Sequence, residues 1–296
     1  MVNGRERERI ARGGVLEKVL GAVAFGLVFL GTLILGSLPF AIGMTIAAVI
    51  GSIELFSIFE TKGEATPTAA VIGIAAAVAY VMLAHYEPIE SFGYVTFFLV
   101  MLSFAWYMIV LRHVKPTKAI AMTIFVPLIT GFCFAHLVLL RDYSGLTNPN
   151  RNNGYWIILF LVAVVWIYDI FAWMIGRKIG RHKMAPSISP NKSWEGTAAG
   201  TVGALLAAVV LRQLIQWILG ANKFTWFSIW VALAIGAIVC VLGPLGDLSE
   251  SLMKREYGVK DMGKLIPGAG GIMDRFDSTM FTAPAVFYFL YYFVFK

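Results

Sequence analysis

Three carboxylates and one glycine-rich turn have the most chemistry to offer. Asp247 lies at one end of an apolar run, and Asp274 and Asp277 precede the last such run. Side chains three apart share a helix face, so the latter two point the same way if the last helix starts early. Hard oxygen donors at neighbouring helix ends, with no His or Cys cluster beside them, match the preference of Mg²⁺, which keeps several waters and takes substrate phosphate as a further ligand. Asp247, Asp274 and Asp277 are therefore candidate metal ligands. Acids at a helix amino terminus also favour the helix dipole, and that plain reading stands for Asp274 and Asp277 taken alone. The turn Pro267-Gly-Ala-Gly-Gly271 shifts the balance towards a ligand, because such a turn lets backbone approach closely; a hinge is its bland alternative.

A second polar stretch, Gly176 to Gly196, alternates cations with glycines, prolines and hydroxyls. Phosphate oxygens would suit it: ammonium groups supply charge, while Ser hydroxyls and backbone N–H groups supply directed hydrogen bonds. Arg177, Lys178, Arg181 and Lys183 are equally accounted for as residues that keep a loop on the cytoplasmic side or touch anionic headgroups. Asp169 is a separate signal, since a carboxylate near the end of an apolar run is costly in lipid and normally faces a polar cavity or a partner. Glu54 and Arg212 also fall within apolar runs; a buried pair or snorkelling explains either, and both are left out of the site. His85, His113, His136 and His182 stand singly, as structural histidines usually do.

The elements that must position these residues are membrane helices. Hydrophobic residues make up 59% of the 296, charged ones 14%, and mean hydropathy is +0.78. A water-soluble domain of this size could not hide so much apolar surface. Cys133 and Cys240 both lie in apolar runs, which excludes a disulfide framework or a cysteine metal motif. A hydrocarbon core of about 30 Å needs roughly 20 residues per helix, and the chain divides into about nine such runs. The first, from Val19, carries no small-residue cleavage site and is expected to be a retained helix rather than a signal peptide. The basic segment 1–18 before it could lie on the membrane surface or form a solvated tail.

Sorting the loops alternately gives the orientation. Of the 24 Lys and Arg residues, only Arg141, Arg151, Lys223 and Lys296 fall on the second side, with Arg212 inside a span. Cytoplasmic loops carry such an excess, so the amino terminus is expected in the cytoplasm. The same rule accounts for the net charge of +7 without nucleic acid. The expected fold is an all-α polytopic integral membrane protein: a basic segment 1–18, amino-terminal helices over 19–150, and carboxy-terminal helices over 151–296 with polar stretches at 176–196 and 247–278.

At these residues the chain resembles the bacterial phosphatidate cytidylyltransferases, or CDP-diacylglycerol synthases. Their carboxy-terminal signature has its counterpart in Ser251, Lys254-Arg255, Lys260-Asp261, Pro267-Gly268, Gly270-Gly271 and Asp274-Arg275-Phe276-Asp277. Their earlier Lys-x-Ala-Pro-x-x-Ser-Pro-x-Lys-x-Trp-Glu-Gly pattern is found as Lys183 to Gly196, and Asp169 matches the membrane Asp before it. The long composite signature is specific and covers roughly the carboxy-terminal half. Two departures stand out. Ala269 replaces the usual His of the Pro-Gly-His-Gly-Gly turn, so an obligatory acid–base role for that His cannot operate here, and Ile170, Phe171, Ala172 and Trp173 follow Asp169 in place of small residues and Tyr.

The resemblance implies transfer of the cytidylyl group of CTP to phosphatidic acid, giving CDP-diacylglycerol and pyrophosphate at the cytoplasmic face of a bacterial inner membrane. It implies Mg²⁺ on Asp247, Asp274 and Asp277, with room for a second cation, and a homodimer among membrane lipids. Lys254, Arg255, Lys260 and Arg275 would bind the triphosphate, with Asp261 beside them. Asp169, Lys183, Ser189, Lys192, Trp194, Ser251, Gly268, Gly270 and Gly271 would seat one substrate or the other. The nearest rival is a CTP-dependent lipid kinase of the polyprenol or phytol type, which would move the γ-phosphoryl group. A transporter of phosphate-bearing metabolites is less consistent, because transporters place polar residues at mid-membrane.

Overall fold

The computed structural model describes residues 4–61, 67–86, 90–110, 116–143, 154–220, 226–266 and 270–295. Long apolar runs form helices because a segment in lipid must satisfy its own backbone polar groups. The helices are α1 (Gly4–Leu35), α2 (Ser37–Thr61), α3 (Pro67–Tyr86), α4 (Ser91–Val110), α5 (Pro116–Pro127), α6 (Cys133–Tyr143), α7 (Gly154–Ile179), α8 (Trp194–Leu219), α9 (Ile229–Tyr257) and α10 (Met273–Phe293). Between α7 and α8 a small antiparallel hairpin pairs β1 (Lys183–Ala185) with β2 (Ser189–Ser193). Six of the described segments are long and apolar enough to cross a membrane: Ser37–Thr61, Ser91–Ile109, Pro116–Asp142, Gly154–Ile179, Trp194–Leu219 and Ile229–Tyr257. Leu20–Leu35 and Ala70–Tyr86 are shorter apolar helices.

The span Pro116–Asp142 is not a uniform α-helix. Pro127 ends α5, and the ladder widens into a π-helical turn over Leu128–Phe132 before α6 resumes. A proline removes an N–H and crowds the preceding turn, and a π-turn is one way to absorb both. Gly131 in this turn lies so close to Ala77 that a Cβ there would collide with the α3 backbone.

The chain forms two compact units. The first, Met1–Val138 with Tyr257–Phe276, is held by small residues and by polar pairs within its helices. Ser52 Oγ and Thr130 Oγ1 are 2.7 Å apart and both buried, and Tyr80 Oη lies 2.6 Å from Thr96 Oγ1. Helices in lipid gain little from apolar burial, so close packing and such hydrogen bonds carry their association. His136, fully buried, places Nδ1 2.7 Å from the Phe132 carbonyl, as expected of a structural histidine.

The second unit, Leu139–Glu256 with Asp277–Lys296, is built on α7 against α8. Gly196, Gly200 and Gly203 turn towards α7; a Cβ on Gly200 would meet the Tyr168 ring, and one on Gly203 the Phe171 ring. The opposite stripe of α8 is apolar and exposed, with Val202 at 59%, Leu206 at 61% and Trp217 at 81%. Small residues inward and large apolar ones outward is the pattern of a helix whose solvent is lipid.

Both polar stretches turn out to be more helical than their composition indicates. α9 runs on through Asp247 to Tyr257, and α7 through Arg177 and Lys178 to Ile179. Cations in the last turn complement the dipole, which lets a helix continue past the end of its apolar part.

Candidate active site

In the second unit, Asp247, Glu250, Ser251 and Lys254 occupy one stretch of α9, where spacings of three and four put side chains on one face. Lys192, on β2, reaches across to place Nζ 2.6 Å from Asp247 Oδ2. Ser251 Oγ donates towards the other oxygen, Asp247 Oδ1, at 3.5 Å. One helical turn on, Lys254 Nζ lies 3.5 Å from Glu250 Oε1, and the Glu250 side chain is only 1% exposed.

Asp277 of α10 joins this group. It stands within electrostatic reach of Asp247 and Lys254, its Oδ1 accepts from the Ser278 N–H at 2.6 Å, and it shares a side-chain hydrogen bond with Glu250. Gly246 makes this approach of α10 to α9 feasible, because a Cβ there would strike the Asp277 carbonyl. Asp169 of α7 is exposed and lies within electrostatic reach of Asp277, Asp247 and Lys192. The result is a carboxylate group, Asp247, Glu250 and Asp277, countered by the ammonium groups of Lys192 and Lys254.

The hairpin that delivers Lys192 is braced at both ends. At its tip Arg255 Nε donates to the Ile188 carbonyl at 3.1 Å. At its base Glu195 accepts from the His182 backbone N–H, and its Oε1 lies 2.6 Å from His182 Nδ1. Ser193 ends β2 and caps α8, its hydroxyl accepting from Gly196 N–H at 3.2 Å. On this hairpin Lys183 is exposed and Ser189 half-buried, and Trp194, the first residue of α8, is exposed.

Asp274 belongs to the first unit, in the first turn of α10. Its Oδ2 accepts from the backbone N–H groups of Met262 and Gly271, both at 2.8 Å. The segment before α10 is thus folded onto its own helix: Ile266 N–H donates to the Gly270 carbonyl at 2.9 Å, and Gly270 has φ +86°, a conformation open chiefly to glycine. A Cβ on Gly270 would also contact the Asp274 carboxylate. Lys260, Asp261 and Arg275 are exposed around this loop. Gly268, with Pro267 and Ala269, lies outside the described residues.

Among the described residues, no three His, Cys, Asp or Glu side chains form a ready-made metal cage. Mg²⁺ does not require one, since it commonly takes one or two carboxylates and completes its shell with water and phosphate. Two neighbouring carboxylates such as Asp247 and Asp277 suit a dication. Reading the sequence alone missed Glu250 and Glu54. The signal for Glu250 was its spacing, three after Asp247 and four before Lys254; the signal for Glu54 was a carboxylate inside a span.

The chain is similar to known proteins along nearly all its length. A family model described as the cytidylyltransferase family matches residues 16–293. A phosphatidate cytidylyltransferase of Bacillus subtilis (strain 168) is 31% identical over 281 residues, covering 93% of this chain and 97% of that protein. One of Synechocystis is 31% identical over 298 residues, covering 93% and 95%. A third, of Staphylococcus haemolyticus, is 42% identical over 134 residues, covering 45% and 48%.

Proposed function

The chain belongs to the cytidylyltransferase family, and from that membership we propose that it acts as a phosphatidate cytidylyltransferase, converting CTP and phosphatidic acid into CDP-diacylglycerol and pyrophosphate. The similarity to the Bacillus subtilis protein over 93% of the chain carries this reading. The pairing of Lys192 with Asp247 supports it, because it joins the two signature segments in one place.

In this reaction an oxygen of the lipid phosphate forms a bond to the α-phosphorus of CTP as the bond from that phosphorus to the β-phosphate bridging oxygen breaks. The electron pair leaves with pyrophosphate. Both reactants are strongly anionic, so catalysis is chiefly positioning and charge neutralisation. Asp247 and Asp277 would hold Mg²⁺, and Asp274, three residues earlier on α10, completes the acidic set of the signature. When bound, the cation supplies Lewis-acid polarisation of the phosphoryl oxygens. Lys192, Lys254 and Arg255 screen the carboxylates and bring positive charge to the triphosphate; Lys260 and Arg275 would be anion partners on family resemblance alone. The ordered hairpin presents Lys183, Ser189 and Trp194 to substrate. An ionised phosphate monoester is already a competent nucleophile, so no strong base is needed and Ala269 is compatible with turnover.

The finer topology is part of the same proposal. The six long apolar segments, the two shorter ones and α10 together make nine spans, with the amino terminus and the site in the cytoplasm. The one-sided distribution of Lys and Arg supports that orientation. The protein would lie in the inner membrane as a homodimer, the latter on family resemblance. CTP labelled at the α or the γ phosphate tests the reaction: α-label passing to the lipid, with release of pyrophosphate, is expected, whereas γ-label in the lipid would mark a kinase.

A further inference from the structure

Glu54 is a carboxylate within the apolar helix α2, only 9% exposed. It has no Lys or Arg partner among the described ion pairs, yet both oxygens are engaged. Oε1 accepts from the Ile272 N–H at 3.0 Å and Oε2 from the Met273 N–H at 3.2 Å. These are the amides at the start of α10, which a helix cannot satisfy from within. Such groups usually meet a local Ser, Thr, Asp or Asn cap. Here the acceptor comes from a residue 218 positions away in sequence.

The surroundings are shaped to this carboxylate. A Cβ on Gly263 or on Gly271 would run into the Glu54 side chain, so the segment before α10 passes where only glycine fits. One turn earlier on α2, Gly51 receives the Met273 side chain, and a Cβ there would lie 2.9 Å from its sulfur. Asp274 holds the same loop from the helix side through Met262 and Gly271. The loop is therefore clamped between two carboxylates, one of α2 and one of α10.

We propose that Glu54 is a positioning residue for cytidylyl transfer: it fixes the first turn of α10 and the Gly270-Gly271 segment, and so sets where the Asp274 backbone and carboxylate stand. It acts through Asp274 and does not touch substrate. The inference rests on the reading that Asp274 and its loop serve the transfer.

The test uses the full chain in lipid vesicles, with Glu54→Gln as the near-isosteric variant. Glutamine keeps one acceptor and puts an NH₂ donor against a backbone N–H donor, so one of the two bonds is lost. The expected result is a fall in kcat of roughly 10- to 100-fold, a higher Mg²⁺ concentration for half-maximal turnover, and faster amide exchange at Ile272 and Met273, with an unfolding temperature close to the parent's. Parent kcat and parent Mg²⁺ dependence in Glu54→Gln, while Asp274→Asn is inactive, would overturn the role of Glu54 alone. Full turnover by Asp274→Asn would overturn the reading beneath it. If Glu54→Gln does not accumulate, Gly263→Ala displaces the carboxylate while leaving it in the chain; the same loss is expected there, and parent kcat would refute the proposal.

Discussion

Lys192 and Asp247, 55 residues apart in sequence, meet with Nζ 2.6 Å from Oδ2. Lys192 sits on a five-residue strand and Asp247 inside a 29-residue helix. Their meeting brings the two polar signature segments into one electrostatic unit. In that unit Lys192 offsets the repulsion among the carboxylates, and in the proposed reaction it would pass to phosphate.

Replacing Lys192 with Met removes the ammonium group and keeps most of the stem. Formation of CDP-diacylglycerol by membranes carrying this variant is expected to fall by roughly 100-fold or more, the scale of losing one directed stabilising group at a phosphoryl centre. Activity within a factor of two of the parent would place Lys192 outside the reaction.

Asp247→Asn and Asp277→Asn remove one negative charge each from the pair at which Mg²⁺ is proposed. Either variant should lose turnover and, at high Mg²⁺, recover only a fraction of it. Chelation by EDTA should abolish activity of the unaltered protein, and added Mg²⁺ should restore it. A chelated preparation that keeps full activity would count against metal-assisted transfer.

Gly200→Leu tests the packing of α8 on α7, where an added Cβ would lie 2.9–3.0 Å from the Tyr168 ring. Overpacking of this kind costs about 1–3 kcal/mol. A lower unfolding temperature in detergent is expected. Val202→Leu, on the exposed lipid-facing stripe, should leave it unchanged.

The orientation is tested by cysteine labelling on intact cells after Cys133 and Cys240 are replaced by Ala. A cysteine at Ser187, in the hairpin turn, should resist a membrane-impermeant maleimide until the membrane is opened, and one at Lys223 should react from outside. The reverse pattern would invert the proposed topology.

The sequence by itself determined the solvent and the kind of structure. Unbroken apolar runs cannot be buried by a chain of this composition and must meet lipid as helices, and lipid leaves the backbone no other way to bond. Local spacing also placed Asp274 and Asp277 on one helix, as they are, because α10 begins at Met273. Polar composition alone misplaced the helix ends, since α9 carries its charges to Tyr257 by complementing its own dipole. Only the tertiary structure decided which distant groups meet. Glu54 reads in sequence as a buried pair or a snorkelling residue and becomes a cap once α2 lies beside the start of α10. Glu250 becomes part of the acidic group once Asp277 faces α9. The physical reason is one of range: hydrophobicity and helix periodicity act over a few residues and are written locally, whereas a hydrogen bond between residues 54 and 272 depends on how every intervening segment packs.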